Sequence, residues 1–281
     1  MASVWEIALP QLDPQELPEL LAFARDTLSA AAVPALEHFR ARPATEDKGD
    51  GGDYDPVTVA DRAAERIVRE RIAAAYPADD VVGEEEGRDE SGARRCWTVD
   101  PIDGTRGYVS GFVQWGMLLA LSVDGVPVLG VVHQPWTGET WTGSTLGAEF
   151  RRAGEASPIG VRACPDLASA VLATTDPFLF PESEAHVFHA LRRSVRLGRY
   201  GGDCYAYCML AMGQLDLVVE SGLSPWDIRA LVPIVEAAGG YITNWRGGDC
   251  SGGGQVVASG DERVHASALE RLSAAATGPA E

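Results

Sequence analysis

Two aspartates stand three residues apart in the stretch VDPIDGT, at the end of a short apolar run. The run predicts a strand that ends at Val99, so that Asp100 emerges at a carboxyl end, where α/β proteins commonly place their sites. Pro101 fixes one backbone angle, and Asp103 can then turn back towards Asp100. Two carboxylates and the exposed carbonyl of Ile102 are hard oxygen ligands that suit Mg²⁺. An aspartate-rich turn that caps a helix is the alternative explanation.

The two residues that follow Asp103 could add a phosphate site. The backbone N–H groups of Gly104 and Thr105 can cradle a phosphate, especially where a helix begins. A metal site and an anion site would then be adjacent in the chain.

Three further acids have positions that suit a site. Glu84 follows an apolar strand and Gly83, which places it better to point inward than its acidic neighbours, although a triple-acid run is usually solvated surface. Asp227 opens an amphipathic segment and is either a helix N-terminal acid or a metal ligand. Asp61 ends a semi-extended run and is a candidate N-cap of the helix that follows.

The elements that must position these acids alternate in type. Periodic apolar residues predict a helix over 14–42 with a kink or interruption at Pro34, and a second helix from Asp61. A helix is also predicted over 226–238. The glycine- and aspartate-rich segment 44–58 is expected to be a mobile loop.

Short β-rich runs fill the first half, and Asp124-Gly125 is a hairpin signal between two of them. After about residue 155 strands and helices alternate. We expect one layered α/β or α+β unit whose halves, 1–150 and 151–281, pack closely together.

Composition excludes some classes of partner. The formal net charge is −18, from 41 acidic and 23 basic residues, which argues against a nucleic-acid backbone and is compatible with a cation. Five scattered cysteines without a CxxC pair favour free thiols in a reducing cytoplasm. No secretory signal or membrane-length apolar run is evident, so a cytoplasmic protein is expected.

Together the motifs resemble those of one family, in order and spacing. The motifs are GEE at 83–85, DPIDGT at 100–105, WD at 226–227 followed by EAAGG at 236–240, and DPVTVAD at 55–61. Across about residues 20 to 275 the chain resembles the inositol monophosphatase superfamily of Mg²⁺-dependent, lithium-sensitive phosphomonoesterases. The resemblance implies an α+β fold layered as an αβαβα sandwich.

The resemblance also implies a set of metal ligands. One metal would bind Glu84, Asp100 and the carbonyl of Ile102, and a second would bind Asp100, Asp103 and Asp227. A third, weaker Mg²⁺ near Glu84 is common in the family, so two to three ions are expected. Mn²⁺ could replace Mg²⁺, and Li⁺ could inhibit.

Catalytic and phosphate-binding roles follow from the same resemblance. Asp61 and Thr105 would hold the attacking water, with Glu84 as a further catalytic residue. The amides of Gly104 and Thr105 would bind the phosphate. Lys48, in the expected mobile loop, would lie over the site.

Finer features resemble the histidinol-phosphate phosphatase branch. Arg106 replaces the small residue typical of inositol phosphatases, and Gly202-Asp203 replaces Thr-Ala or Ser-Ala. On the leaving-group side we expect Arg106, Gly202, Asp203, Glu220 and Asp227. A carboxylate at Asp203 would pair with the ammonium of L-histidinol phosphate, unless it only caps a helix. Glu220 is shared with inositol phosphatases and does not discriminate.

The resemblance therefore predicts a phosphoric monoester hydrolase that acts in histidine biosynthesis. The alternatives are an inositol-1-phosphate phosphatase and a catalytically silent scaffold, although a silent relative would need a lost ligand and none is lost. A small-molecule phosphate ester is the expected partner, without nucleic acid or membrane, and a homodimer is expected by resemblance only.

Overall fold

The computed structural model describes residues 12–13, 15–41, 45–47, 56–88 and 91–277. Lys48 and most of the 44–58 segment lie outside these described residues, so their predicted roles are not addressed by the structure. None of the helices within the described ranges combines the length and the apolar composition needed to cross a membrane.

Helices and strands alternate along the described chain. The helices are α1 (Leu17–His38), α2 (Val59–Ala75), α3 (Thr105–Val109), α4 (Glu182–Ser194), α5 (Asp203–Ala211), α6 (Pro225–Ile228), α7 (Leu231–Ala237) and α8 (Glu262–Leu272). The strands are β1 (Thr45–Asp47), β2 (Pro56–Thr58), β3 (Asp80–Gly83), β4 (Gly87–Arg88), β5 (Arg95–Asp103), β6 (Gly116–Val123), β7 (Val126–Gln134), β8 (Glu139–Ser144), β9 (Gly147–Arg152), β10 (Glu155–Pro158), β11 (Val171–Thr174), β12 (Leu197–Tyr200), β13 (Leu217–Leu223), β14 (Tyr241–Thr243) and β15 (Gly254–Ser259).

Two sheets organise the described residues. The larger has eight strands in the order β10-β9-β8-β7-β6-β5-β3-β4, and the smaller has five in the order β12-β11-β13-β15-β14. Within the larger sheet β3 and β5 pair parallel, and every other pair of adjacent strands is antiparallel. β1 and β2 form a separate antiparallel pair. The Asp124-Gly125 hairpin between β6 and β7 is confirmed, with positive φ at both residues.

Three apolar layers separate the sheets and helices. The first lies between α1, α2 and the larger sheet, the second encloses α5 and α7 between the two sheets, and the third lies between the smaller sheet and α4 with α8. β6 shows the alternation, because Leu119 and Leu121 enter the first layer while Leu118 and Ala120 enter the second. The predicted layered αβαβα sandwich of the α+β class is confirmed.

Several predicted boundaries differ from the structure. Helix α1 continues through Pro34, because Ala31, Ala32 and Ala35 around it are buried and tertiary packing offsets the lost hydrogen bond. Helix α2 begins at Val59, so Asp61 lies in its first turn and is not the N-cap.

Other predicted elements are divided or extended. The segment predicted as one helix over 226–238 is two helices, α6 and α7, separated at residues 229–230. The division at residue 150 stays a prediction, and strands β9 and β10 continue the larger sheet to Pro158.

Two glycines bring α7 against the larger sheet. A Cβ on Gly130 would lie 1.9 Å from the carbonyl oxygen of Ala230, and a Cβ on Gly143 would lie 2.3 Å from the Cα of Ile234. Only a residue without a side chain permits such an approach of backbone to backbone. Helix α6, which carries Asp227, directly precedes this segment in the chain.

Replacing Gly130 by alanine should therefore destabilise the fold. The added methyl meets backbone that cannot rotate away, so we expect Gly130→Ala to lower the free energy of unfolding by about 3 kcal/mol, as overpacking does. Gly252→Ala is the matched control, since nothing lies within 4 Å of its added Cβ, and it should change stability by less than about 0.5 kcal/mol. Urea unfolding followed by tryptophan fluorescence measures both, and equal stability of the two variants would contradict the packing argument.

Candidate active site

A β-bulge in β5 turns two aspartates towards the same side of the sheet. Asp100 pairs with Leu118 and Asp103 pairs with Gly116, so three steps along β5 match two steps along β6. In a regular strand, residues three apart point to opposite faces, and one extra residue restores the same face. The strand does not end at Val99 as predicted, because β5 continues to Asp103 and the bulge replaces the expected turn.

Asp227 completes a cluster of three acids. Oxygen atoms of Asp100, Asp103 and Asp227 all lie within 4.8 Å of one another. Oδ2 of Asp227 also accepts a hydrogen bond of 2.7 Å from the amide of Ser224, so Asp227 both closes the start of α6 and faces the other acids. The two alternatives for Asp227, helix-terminal acid and site acid, are thus compatible in one side chain.

The cluster is assembled from both sheets. Asp100 and Asp103 belong to the larger sheet, whereas Asp227 follows β13 of the smaller one. Arg229 follows Asp227 by two residues and donates hydrogen bonds to the hydroxyl of Thr98 on β5 at 3.2 Å and to the carbonyl of Ser251 at 3.1 Å. These bonds connect the segment that carries Asp227 to the larger sheet.

Burial and mutual repulsion dominate the electrostatics of the cluster. Burial raises the pKa of Asp100 well above its ordinary 3.8, and neighbouring carboxylates raise it further. In decreasing order of effect, those neighbours are Glu84, Asp103, Asp227 and Asp61. Burial likewise raises the pKa of Asp103, and the charges of Asp203 and Asp227 raise it further. A hydrogen bond opposes this shift, because the amide of Cys204 donates to Oδ2 of Asp103 at 2.6 Å.

The charges of Glu84 and Asp61 therefore act on Asp100 from two different elements. Glu84 is half-buried directly after β3, and Asp61 is buried in the first turn of α2. The charge of each raises the pKa of Asp100, which places both carboxylates within electrostatic reach of it.

The segment after Asp103 turns sharply into a short helix. Gly104 has a φ of 81°, in the left-handed region, and α3 begins at Thr105. The hydroxyl of Thr105 donates to the carbonyl of Ile102 at 2.9 Å. The Ile102 amide in turn donates to Oδ1 of Asp100 at 3.0 Å. The bulge and the helix start are thus bonded to each other, and the metal and phosphate roles of these residues stay predictions.

Asp203 stands beside this turn, at the start of α5. A Cβ on Gly104 would lie 3.2 Å from the Cγ of Asp203. Burial raises the pKa of Asp203 to about 6, which the charge of Arg106 opposes. Asp203 has a φ of 44°, and Gly202 is the residue at the N-cap, so Asp203 is not the N-cap itself. Left-handed backbone in a non-glycine residue is uncommon and concentrates at functional sites.

Glu220 is buried on β13. Its carboxylate accepts hydrogen bonds from the hydroxyl of Thr174 (2.9 Å) and from the amide and hydroxyl of Thr175 (2.7 and 3.1 Å). Burial raises the pKa of Glu220 to about 8 although these hydrogen bonds oppose the shift. Glu220 therefore joins β13 to the end of β11, and its predicted contact with substrate stays untested.

Sequence reasoning missed two groups that hold the site acids in place. The amide of Cys204 bonds to Asp103, and no residue-level signal marks a backbone donor of this kind. Glu65 is buried in α2 and binds the turn that carries Glu84. Its spacing of four residues from Asp61 places both on one helix face and could have revealed it.

The donor set fits a small divalent cation. The acids of the cluster supply carboxylate oxygens, which are the ligands that Mg²⁺ and Mn²⁺ prefer. Several carboxylates crowded in a largely buried space repel one another, and a cation removes that repulsion. Asp100, Asp103 and Asp227 would hold it, with Glu84 beside them.

The raised pKa of Asp100 predicts a pH-dependent stability of the metal-free protein. Because the pKa is higher in the folded state than the ordinary 3.8, the folded protein binds the proton more tightly, and stability falls as the pH rises from 3.8 through the raised value. Asp100→Asn removes this loss, so with EDTA at pH 8 we expect a higher melting temperature than wild type, by a difference that shrinks towards pH 4. Added Mg²⁺ should stabilise wild type more than the variant.

Asp261→Asn is the control with the opposite sign. Hydrogen bonds from Arg263 hold the pKa of Asp261 below its ordinary 3.8, so this variant should lose stability at pH 8 and keep that deficit down to pH 4, because the charge of Asp261 begins to be lost only below 3.8. Thermal denaturation in EDTA across pH 4–8 measures both variants. A lower melting temperature of Asp100→Asn at pH 8 would contradict the repulsion argument.

Known proteins are similar to this chain in sequence and fold. The model of the inositol monophosphatase family matches residues 16–278. The bifunctional phosphatase IMPL2, chloroplastic, of Arabidopsis thaliana is 39% identical over 274 residues, which cover 93% of this chain and 77% of that protein. A histidinol-phosphatase of Chlorobaculum parvum is 39% identical over 196 residues, covering 69% of this chain and 74% of its own.

A solved structure agrees with these sequence matches. An inositol monophosphatase from Zymomonas mobilis superposes with a TM-score of 0.75 at 40% identity, covering 90% of this chain and 99% of that one. The predicted resemblance is confirmed: the chain belongs to the inositol monophosphatase family.

Proposed function

We propose that this protein is a metal-dependent phosphomonoesterase that hydrolyses L-histidinol phosphate to L-histidinol and phosphate. The observation that carries the proposal is the convergence of Asp100, Asp103 and Asp227, whose oxygens lie within 4.8 Å of one another. The pKa values of Asp100 and Asp103 are raised, and acids with shifted pKa values are typical of a functional site. Family membership supports phosphate monoesters as the substrate class.

Mg²⁺ bound by these acids would supply a Lewis acid that activates water and stabilises the departing oxygen. The chain's own groups would orient the reactants. The hydroxyl of Thr105 donates its proton to the carbonyl of Ile102, so its oxygen is left to accept a hydrogen bond. With the carboxylate of Asp61 as a second acceptor, an attacking water would turn both its protons to the protein and a lone pair to phosphorus.

The choice of histidinol phosphate rests on Asp203. Its carboxylate lies beside the Gly104 turn, and its charge and that of Asp227 both raise the pKa of Asp103. An acid at this position favours a leaving group that carries an ammonium and would not favour a neutral polyol. The histidinol-phosphatase among the relatives supports the same substrate. Histidine biosynthesis is the role we infer for this reaction.

Inositol-1-phosphate is the second candidate substrate. The solved relative from Zymomonas mobilis carries the name inositol monophosphatase at a similar level of identity. The acids of the cluster would serve either substrate, so only groups on the leaving-group side can discriminate. A catalytically silent scaffold would be expected to lack one of the site acids. None is missing, since the sequence contains Asp61, Glu84, Asp100, Asp103 and Asp227. The homodimer and the cytoplasmic location stay predictions.

Phosphate release tests the proposed reaction. Wild type should release phosphate from histidinol phosphate with Mg²⁺ and lose that activity in EDTA. Asp103→Asn should lower kcat/KM by a factor of about 100 or more, because it removes a charge that the cation needs while leaving the core unchanged. A colorimetric phosphate assay with inositol-1-phosphate alongside measures the preference. Unchanged turnover in the variant would exclude Asp103 as a ligand, and a preference for inositol-1-phosphate would exclude the substrate proposed.

Asp203→Asn tests the substrate choice separately. Asparagine tolerates the left-handed backbone at this position, so the change removes the charge and keeps the conformation. We expect kcat/KM for histidinol phosphate to fall about tenfold or more and that for inositol-1-phosphate to fall much less. Asp124→Asn is the matched control, because Asp124 also has a positive φ but lies in the β6–β7 hairpin. Equal losses for both substrates would reduce Asp203 to a structural residue.

A further inference from the structure

Helix α2 presents two buried acids on one face. Asp61 and Glu65 are separated by one helical turn, and their exposed fractions are 1% and 0%. Residues four apart lie one above the other along a helix. The charge of Asp61 acts on Asp100, whereas Glu65 is bonded to the turn that follows β3. A carboxylate so fully buried requires hydrogen-bond partners.

The carboxylate of Glu65 is bonded to the backbone of that turn. Oε2 accepts from the amide of Glu85 at 2.8 Å, and Oε1 accepts from the amide of Glu86 at 3.1 Å. Nε of Arg69, on the same helix, donates to Oε1 at 2.8 Å and neutralises the charge. Arg69 also donates to the carbonyl of Gly87. Both ends of the turn are thus attached to α2.

Gly83 completes this arrangement. A Cβ at Gly83 would lie 2.0 Å from Oε1 of Glu65, so the carboxylate occupies the space that a side chain would need. The glycine before the acidic run is therefore explained by Glu65. The strand end and the turn are held against the helix from two sides, with Glu84 between them.

We propose that Glu65 is a positioning residue for the cation site, which it serves by fixing the turn that aims Glu84 at Asp100. Glu84 is the first residue of the turn whose next two amides Glu65 binds, and it directly follows Gly83, which pairs with Val99, the residue before Asp100. The same helix face supplies Asp61, so α2 sets the positions of two acids relative to the cluster. The inference rests on the proposed function for the cation itself.

A second buried acid provides a matched control on the same strand. Asp80 is the first residue of β3, and Gly83 is the last. Asp80 is 3% exposed, and its carboxylate accepts hydrogen bonds from the amides of Gly92 and Ala93 at 3.1 Å each. Asp80 thus holds a turn by the same chemistry at the other end of β3. A general effect of removing a buried carboxylate should appear in variants of both residues, and an effect on the cation site only in variants of Glu65.

The experiment compares Glu65→Gln with Asp80→Asn in the full chain. The dissociation constant for Mg²⁺ is measured by titration calorimetry, and hydrogen exchange of the Glu85 and Glu86 amides is measured in EDTA. Loss of a group that orients a metal ligand typically weakens binding 10- to 100-fold. We expect about a tenfold higher dissociation constant and faster exchange of these amides in Glu65→Gln, against a change below about twofold in Asp80→Asn.

Arg69→Lys covers the case in which Glu65→Gln does not fold. It removes the guanidinium that binds both Glu65 and Gly87 while keeping a positive charge. We expect about threefold weaker Mg²⁺ binding and faster exchange at Glu85 and Glu86.

Three outcomes would overturn the inference, and they are distinguishable. Mg²⁺ affinity equal to wild type in Glu65→Gln, or in Arg69→Lys if only that variant folds, would refute the positioning role while leaving the cation site intact. Wild-type protein that binds no Mg²⁺, or binds it as well after Asp103→Asn, would refute the proposed cation site and the positioning role with it. Equal weakening in Glu65→Gln and Asp80→Asn would show a general loss of structure and would also refute the role.

Discussion

Repulsion between carboxylates in a space with little water is the constraint around which the site is built. Asp100, Asp103 and Asp227 stand close enough to share a cation, and burial raises the pKa of the first two. Acids left to themselves would separate, so the chain must hold them by other bonds. It does so with backbone amides, which bind without adding a titrating charge: that of Cys204 for Asp103 and that of Ser224 for Asp227.

Glycines allow the elements that carry these bonds to approach one another closely. Gly130 and Gly143 admit the segment around Ala230 to the surface of the larger sheet, and Gly83 admits the carboxylate of Glu65. Each glycine acts by omitting a side chain where another group must lie. The three apolar layers supply most of the stability, and these few contacts fix where the acids stand within it.

The sequence was informative where a local pattern carries the information. The order and spacing of the motifs resemble those of one family, and that resemblance predicted the layered fold and the convergence of Asp100, Asp103 and Asp227. Boundaries failed where tertiary packing decides: α1 passes through Pro34, and Asp61 lies inside α2. Glu65 went unnoticed although it lies four residues after Asp61, because its partners are amides twenty residues away and no side chain marks such a contact.

Because of the bulge in β5, the two aspartates lie on the same face of the sheet only if the number of residues between them is kept. Three residues of β5 stand against two of β6 between Asp100 and Asp103. An insertion or deletion of a single residue in this interval would turn one aspartate to the opposite face of the sheet, into the apolar layer beneath α1 and α2. Substitutions between the aspartates preserve the number of residues, whereas a change of length would separate the pair. The interval can therefore vary in composition far more readily than in length.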